Sequence, residues 1–351
     1  MARNLSGILG KRADSSKVGY LTAYWKTNET GIFFALSTND DPLTFTPING
    51  GEPLFVPTLG QKTVRDLSIV PGGGEEDATK WYLLATDLNI EDYASWDAAS
   101  ANGSKALLIW DSTDLVNWTD ERLITVEDDT AGMAWAPDAI YDPDAGKLLH
   151  TFHMDRADVQ DRELHGALGR QVCKSSTAIS AYGTLHLLTT EQFAENDTAH
   201  NNGAIGEAVM RYAHTSDFQT FTAPETYIDR NPNSTIDLSF LKINDTAYVR
   251  FWAHEGIHTE VGYDGLFGAF EEVGEIVADY EGAYGFWDNT VDGVAYMIAD
   301  KLGDDAGIRL YGPSDPTTGV WVQDTAVDMA YMRHGSVLAL TQEQYDALAA
   351  V

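Results

Sequence analysis

Along most of this chain the apolar positions come in short bursts with no helical period. Lys80-Trp81-Tyr82-Leu83-Leu84-Ala85-Thr86, Ala106-Leu107-Leu108-Ile109-Trp110 and Ala247-Tyr248-Val249-Arg250-Phe251-Trp252 are rich in aromatic and aliphatic residues, and Gly, Asp, Asn and Pro clusters separate such runs. Short runs of this kind between turn residues predict β-strands. A helical period shows only at the end, where Thr341 to Leu348 reads as a capped terminal helix.

The strands belong to a repeat. Phe34 to Thr46, Leu108 to Thr119 and Met210 to Thr222 each run as a strand, a Ser/Thr-Asp turn, an aromatic and a Thr. A degenerate fourth copy starts at Arg309-Leu310-Tyr311-Gly312-Pro313-Ser314-Asp315 and continues to Trp321. Each copy reads as a third strand, a tight turn and an outer fourth strand whose aromatic packs between units. Counting units gives five: 62–127, 131–229, 233–278, 279–326, and one that takes its inner strand from 330–340 and the rest from 17–48. The fold expected is therefore all-β, a five-bladed β-propeller whose ring is closed by strands from both termini, which protects edges that would otherwise pair with other chains. It would span residues 17–340, after an N-terminal extension over 1–16 and before a short C-terminal helix over 341–351. A two-sheet sandwich also has short strands, but the length and blade-like spacing of the repeat favour the propeller.

In a propeller the first strand of every blade lines the central channel, so equivalent positions of different blades converge. Val64-Arg65-Asp66-Leu67-Ser68-Ile69, Thr235-Ile236-Asp237-Leu238-Ser239-Phe240 and Tyr280-Glu281-Gly282-Ala283 each place a carboxylate at the head of such a strand. Three converging carboxylates suit acid–base chemistry on a glycosidic bond.

Charge narrows the partners. With 22 basic and 54 acidic residues the net charge is −32, which repels phosphate backbones and anionic lipid. Nucleic acid and membrane are poor partners, whereas a neutral polysaccharide is compatible; most of the acids serve solubility. Cys173 is the only cysteine of the 351 residues, so no disulfide forms within the chain. Asn-x-Ser/Thr sequons begin at Asn4, Asn28, Asn102, Asn117, Asn196, Asn233 and Asn244. They point to secretion from a eukaryotic cell, with the signal peptide already removed, since Met1-Ala2-Arg3-Asn4 has no apolar core. No stretch is long enough for a transmembrane helix.

The order of Val-Arg-Asp-Leu-Ser-Ile, then Trp135-Ala136-Pro137-Asp138-Ala139-Ile140, then Ile236-Asp237, Glu281-Gly282 and Arg333-His334-Gly335-Ser336-Val337 resembles glycoside hydrolase family 43. The resemblance covers roughly 17–348 and implies a five-bladed propeller acting on arabinan, arabinoxylan or xylan. Three positions depart from the family pattern: Leu67 and Ala283 stand where Pro is usual, and Asp138 where Glu is usual.

By this resemblance Asp66 is the general base that activates water, Glu281 the general acid, and Asp237 the residue that tunes and orients that acid. Read alone, Asp66 is equally a turn residue paired with Arg65, Glu281 an exposed turn Glu, and Asp237 an Asx-turn at a strand start. Arg65 would keep Asp66 ionised, and the aromatics Tyr284, Phe286 and Trp287 would raise Glu281. Trp135 offers a face to a sugar ring or packs between blades; Asp138 binds hydroxyls or holds its loop. His334 points by resemblance into the channel near the active centre, to meet substrate, a water or Ca²⁺. No cofactor is required, a channel Ca²⁺ is admitted, and a monomer is expected.

The mechanism implied is single displacement with inversion, by an α-L-arabinofuranosidase or a β-xylosidase. Two other readings stand beside it: a retaining fructan-cleaving propeller, which lacks its Asn-Asp-Pro-Asn motif here, and a silent glycan-binding propeller, which the three departures motivate. The pairs His150/His153 and His254/His258 lack the HExxH arrangement, Gly72-Gly73-Gly74 lacks the Lys-Ser/Thr of a phosphate loop, and no Gly-x-Ser-x-Gly occurs. Loops at 87–104, 153–175 and 187–207 would set pocket depth.

Overall fold

The computed structural model describes residues 12–74, 79–127, 131–142, 147–151, 185–187, 208–230, 233–277 and 279–351. Most of the expected extension 1–16, the sequons at Asn4 and Asn196, Cys173, His153, the side chain of His150, the loop 153–175 and nearly all of 187–207 lie outside the described residues.

The chain opens with β1 (Lys17–Trp25), β2 (Phe33–Thr38) and β3 (Asp41–Pro47). β4 (Arg65–Pro71), β5 (Trp81–Thr86), β6 (Ala106–Ser112) and β7 (Thr119–Thr125) follow, with helix α1 (Trp96–Asn102) between β5 and β6. Next come β8 (Asp138–Asp142), β9 (Lys147–Thr151), β10 (Leu185–Leu187), β11 (Met210–Thr215) and β12 (Glu225–Ile228). They are followed by β13 (Ile236–Lys242), β14 (Tyr248–Ala253), β15 (Gly256–Gly262) and β16 (Phe270–Val277). β17 (Tyr280–Trp287), β18 (Ala295–Lys301), β19 (Gly307–Ser314), β20 (Gln323–Met329), β21 (Arg333–Thr341) and helix α2 (Gln342–Ala349) complete the chain.

Three four-stranded sheets run in chain order, β4 to β7, β13 to β16 and β17 to β20. A fourth is ordered β21-β1-β2-β3, so the C-terminal strand supplies the inner position of the N-terminal blade, with Leu21 opposite Leu338. The unit at 131–229 differs: its sheet is ordered β10-β11-β9-β8, with β12 paired to β11. The first strands contact one another in the cyclic order β21, β4, β8, β13, β17 and back to β21. The fold is an all-β propeller, and both ends of the chain close it.

Burial follows position in the blade. The middle strands β5 and β14 are buried on both faces, because each sheet is covered by a neighbour on either side. Hence they read as unbroken apolar runs. The outer strands β7 and β20 face solvent and are polar, Thr-Asp-Glu-Arg-Leu-Ile-Thr and Gln-Asp-Thr-Ala-Val-Asp-Met. Among the described residues, hydrophobic clusters fill the gaps between neighbouring sheets all round the ring, anchored by fully buried rings such as Tyr20, Tyr82, Phe218, Tyr248 and Phe251. Each such side chain contributes about 1.5–3 kcal/mol relative to exposure.

The repeat seen in the sequence is a doubly capped turn. Ser112 Oγ accepts from Leu115 N at 2.8 Å, and Asp114 Oδ1 from Val116 N at 2.9 Å and Asn117 N at 2.7 Å. Thr215 and Asp217 repeat this around Phe218, at 2.9 Å for Thr215 and 2.8 and 2.9 Å for Asp217. Leu115 and Phe218 sit at φ 65 and 49, an unfavourable region for such residues. Side-chain acceptors for the turn amides and complete burial of both residues offset that strain. The motif therefore pins an inter-blade knob at a fixed place in each unit that carries it.

Gly335 marks the tightest approach in the closing blade, since a Cβ there would stand 1.9 Å from the Ala23 carbonyl oxygen. Gly335→Ala is expected to cost about 1–3 kcal/mol through overpacking, read as a lower urea midpoint at unchanged slope; an unchanged midpoint would show that the β1–β21 seam is loose.

Candidate active site

The inner strands share an irregularity near their heads. Pairing of β4 with β5 shifts between Arg65 and Ser68, β13 with β14 between Ile236 and Ser239, and β17 with β18 between Glu281 and Tyr284. β21 shows the same shift against β1, between Arg333 and Ser336. A bulge of this kind re-aims a side chain out of the alternation of the strand. At the bulges Asp66 has φ 52 and Asp237 has φ 55, a region that Asp tolerates better than most residues. In β17 the corresponding residue is Gly282, φ 58, directly after Glu281. Only glycine fits there, since a Cβ would lie 2.4 Å from the His334 ring.

These bulges deliver Asp66, Asp237 and Glu281 to one cavity of about 830 Å³. Arg65, Trp135, Trp25, Trp96 and Arg333 also line it. Trp96, at the start of α1, is 53% exposed, which places an apolar face at the mouth. Arg65 lies with its guanidinium carbon 4.2 Å from the Trp25 ring centroid and 5.1 Å from that of Trp96. Trp96 and Trp135 meet edge to face at 6.2 Å.

Each carboxylate is held differently. Asp66 Oδ2 accepts from Thr86 Oγ1 at 2.7 Å, and Asp66 Oδ1 lies 3.4 Å from His334 Nδ1. Asp237 Oδ2 accepts the Gly282 N–H at 3.0 Å and lies 3.8 Å from the same His334 nitrogen. Glu281 stands opposite Asp300 in the β17–β18 pairing. Asp300 in turn accepts from Arg333 Nε at 2.8 and 2.9 Å and from the His334 N–H at 2.9 Å.

The electrostatics separate the acids. Burial pushes Asp66 up, but the His334 hydrogen bond and charge, the Thr86 hydroxyl and Arg65 together hold it below the usual carboxylate range. Asp237 is raised to about 6, by burial and by the Asp66 charge, against the pull of His334. Glu281 is raised well above its ordinary value by burial first, then by Asp237, Asp300 and Asp66. Burial opposes the charge on His334, but Asp237, Asp66 and Glu281 overcome it and raise the imidazole to about 10. The surroundings thus favour an ionised Asp66, a protonated imidazole beside it, and the protonated form of Glu281.

Asp138 and His334 lie outside the lining of this cavity. They border a second cavity, of about 10 Å³, with Ser68, Ser239 and Tyr284. Asp138 accepts from Ser68 Oγ at 2.6 Å, and burial raises it to about 6. Of the two parts the sequence offers Asp138, binding hydroxyls or holding its loop, the structure shows a buried carboxylate held by Ser68. His334 reaches Asp66 and Asp237 through Nδ1. Of the motif departures, Leu67 is buried in the blade core, and Ala283 uses its carbonyl to accept from Ser239 Oγ at 2.5 Å.

The small cavity has room for about one water. Ca²⁺ takes six to eight oxygen ligands, and the residues around this space, with His334 protonated, do not fit it. Among the described residues, His258, Glu272 and Glu275 form a group with metal-ligand spacing, on β15 and β16.

Residues the sequence reading missed complete the site. Thr86 Oγ1 accepts the Ala136 N–H at 2.8 Å while donating to Asp66, so it ties the Trp-Ala-Pro segment, where Ala136 has φ 49, to that carboxylate. Trp25, Trp96, Arg333 and Asp300 were unmarked as well. Arg333 alone carried a signal, as the first residue of Arg-His-Gly; Thr86 and Asp300 close ordinary apolar strands and show no local sign.

A family model described as a probable glycosyl hydrolase domain, of the glycosyl hydrolase 43-related type, matches residues 16–178 and 181–346. An α-L-arabinofuranosidase of Bifidobacterium longum subsp. longum is 27% identical over 245 residues, which is 68% of this chain and 20% of that protein. The chain thus spans about a fifth of the length of the curated relative it matches. Among solved structures, a thermostable family-43 glycoside hydrolase is similar with a TM-score of 0.46 and 14% identity, over 78% of this chain and 76% of its own. The GH93 α-L-arabinofuranosidase of Fusarium graminearum in complex with arabinobiose is similar with a TM-score of 0.49 and 11% identity, over 95% of this chain and 88% of its own.

The folded-state value of His334 lies above its ordinary 6.5, so its ion pairs stabilise the fold fully below pH 6.5 and lose that effect as pH rises through about 10. The melting-temperature advantage of the wild type over His334→Asn is expected to be largest at pH 6 and to shrink steadily towards pH 10. A difference independent of pH would show that the ring acts by packing on Gly282 alone.

Proposed function

The chain belongs to the glycosyl hydrolase 43-related family, and from that membership we propose that it is a glycoside hydrolase of plant cell-wall polysaccharide or oligosaccharide, foremost an α-L-arabinofuranosidase and alternatively a β-xylosidase. The observation that carries this reading is one cavity lined both by Asp66, whose surroundings favour the ionised form, and by Glu281, whose surroundings favour the protonated form. Two carboxyl groups with opposed protonation are what a glycosidic bond needs for cleavage. The arabinofuranosidase relative supports the choice of sugar.

In the proposed mechanism the sugar sits against the tryptophans of the cavity. Water lies beside Asp66, which takes its proton as the oxygen attacks the anomeric carbon. Glu281 delivers its proton to the departing oxygen in the same step, and the configuration inverts. Asp237 holds the bulge next to Glu281 through the Gly282 N–H and adds negative charge that favours the protonated acid. His334 neutralises the carboxylates that remain ionised and keeps Asp66 aimed. No cofactor is needed and no step passes through a metal.

We read the ring as having five blades, with the 131–229 sheet as the blade between β4 to β7 and β13 to β16; the cyclic contacts of the first strands support this. We further propose a secreted glycoprotein that works as a monomer. The five described sequons begin at exposed asparagines, Asn28, Asn102, Asn117, Asn233 and Asn244. Asn28 also lines the catalytic cavity, so a glycan there would crowd the substrate.

Glu281→Gln is expected to lower release of nitrophenol-free arabinose from arabino-oligosaccharides by about 100- to 10,000-fold, the range for loss of a general acid, while the protein stays folded by circular dichroism. Proton NMR of the first-formed sugar should show the inverted anomer. Full activity in the variant, or a retained anomer from the wild type, would overturn the assignment.

A further inference from the structure

Asp300 is the fully buried carboxylate for which the mechanism above has no use. Burying a charge is costly unless it is paired and hydrogen-bonded. Asp300 meets that demand with two contacts to Arg333 Nε, at 2.8 and 2.9 Å, and with the His334 N–H at 2.9 Å. Three features place it in the active centre and not merely in the core. Arg333 lines the catalytic cavity. The amide it holds is that of His334, whose ring reaches Asp66 and Asp237. Finally, Asp300 lies directly across from Glu281 in the antiparallel pair of β17 and β18, so both side chains issue on the same face of the sheet.

From this arrangement we propose that Asp300 is a positioning residue of the catalytic centre, which fixes His334 through its backbone and sets a second negative charge beside Glu281. The proposal rests on the reading of Glu281 as the acid. Like charges opposite one another in a strand pair repel. The pair is relieved when one carboxyl is bound to a guanidinium and the other keeps its proton, and Arg333 selects Asp300 for the first role. Glu281 is faced by Asp237 from β13, by Asp66 and Arg65 from β4, by His334 from β21 and by Asp300 from β18. Asp300 itself is raised by burial, and Arg333 and His334 oppose that rise. Arg65 and His334 are the cations in this set that act directly on Glu281, and Arg333 acts on it through Asp300. The proton of the acid is therefore governed by Asp300, from the neighbouring strand, together with Asp237 and Asp66, and not by Asp237 alone.

Asp300→Asn keeps an oxygen for the His334 N–H but removes the charge, whereas Arg333→Gln leaves the charge and removes its neutralising partner. The two variants must move the acid in opposite directions. In kcat/KM profiles against pH, the basic limb is expected to move down by about one pH unit in Asp300→Asn and up in Arg333→Gln. Asp300→Glu, which restores the charge, should return the limb towards the wild-type position even where kcat stays low. A limb that stays in place in both variants overturns the proposal and leaves Asp300 a core residue. A second readout needs no turnover. The pH dependence of the melting-temperature difference between Glu281 and Glu281→Gln proteins reports the protonation of Glu281 by linkage, and it should shift to lower pH when Asp300→Asn is added. If the glycosidase reading itself fails, no activity appears on any glycoside while this thermal shift remains measurable; if only the present proposal fails, activity appears and neither limb nor thermal shift responds.

Discussion

The candidate active site rests on an unequal sharing of positive charge among crowded carboxylates. His334 stands between Asp66 and Asp237, and its Nδ1 is nearer the first, at 3.4 Å against 3.8 Å. Thr86 and Arg65 add to the stabilisation of Asp66, whereas Asp237 has the amide of Gly282 and the repulsion of Asp66. Glu281, faced by all the negative groups and with the imidazolium as a weaker compensation, is pushed towards its protonated form. Chemically identical side chains thus take different roles because the cations are placed off-centre.

The propeller makes that placement possible. Its first strands meet around the axis, so that residues from β4, β13, β17 and β21 come together although they are far apart along the chain. The bulges then turn residues at the strand heads out of the ordinary alternation, toward the open cavity. The strain of Asp66 and Asp237 at positive φ is carried by blades packed on both sides with large apolar side chains. Stability of the blades and precision of the site are therefore one problem: Gly282 and Gly335 exist because the ring of His334 and the carbonyl of Ala23 come too close for a side chain.

Much of this could be read in the sequence. Strand-like bursts, the Ser/Thr-Asp turn and the order of the motifs led to an all-β propeller with strands from both termini, and the carboxylates of the three strand heads do line one cavity. The turn motif was legible because its chemistry is local: a hydroxyl and a carboxylate cap amides two or three residues away. The hydrogen bond of Asp138 to Ser68 was not legible, because its neighbours in sequence say nothing about which inner strand it faces. Thr86 and Asp300 went unseen because they lie on second strands, whose register against the first strand decides that they face Asp66 and Glu281.

By itself the sequence determined which residues would be apolar strands, where the turns would cap themselves, which family the motifs follow, and which acids stand at strand heads. These properties depend on contacts within a few residues, or on order along the chain. Only the tertiary structure decided which carboxyl is pushed towards its ionised form, which towards its protonated form, and what holds each of them. A carboxylate's charge state is set by burial and by the distance to partners such as His334, Arg65 and Arg333, which enter from other blades and have no fixed separation in sequence.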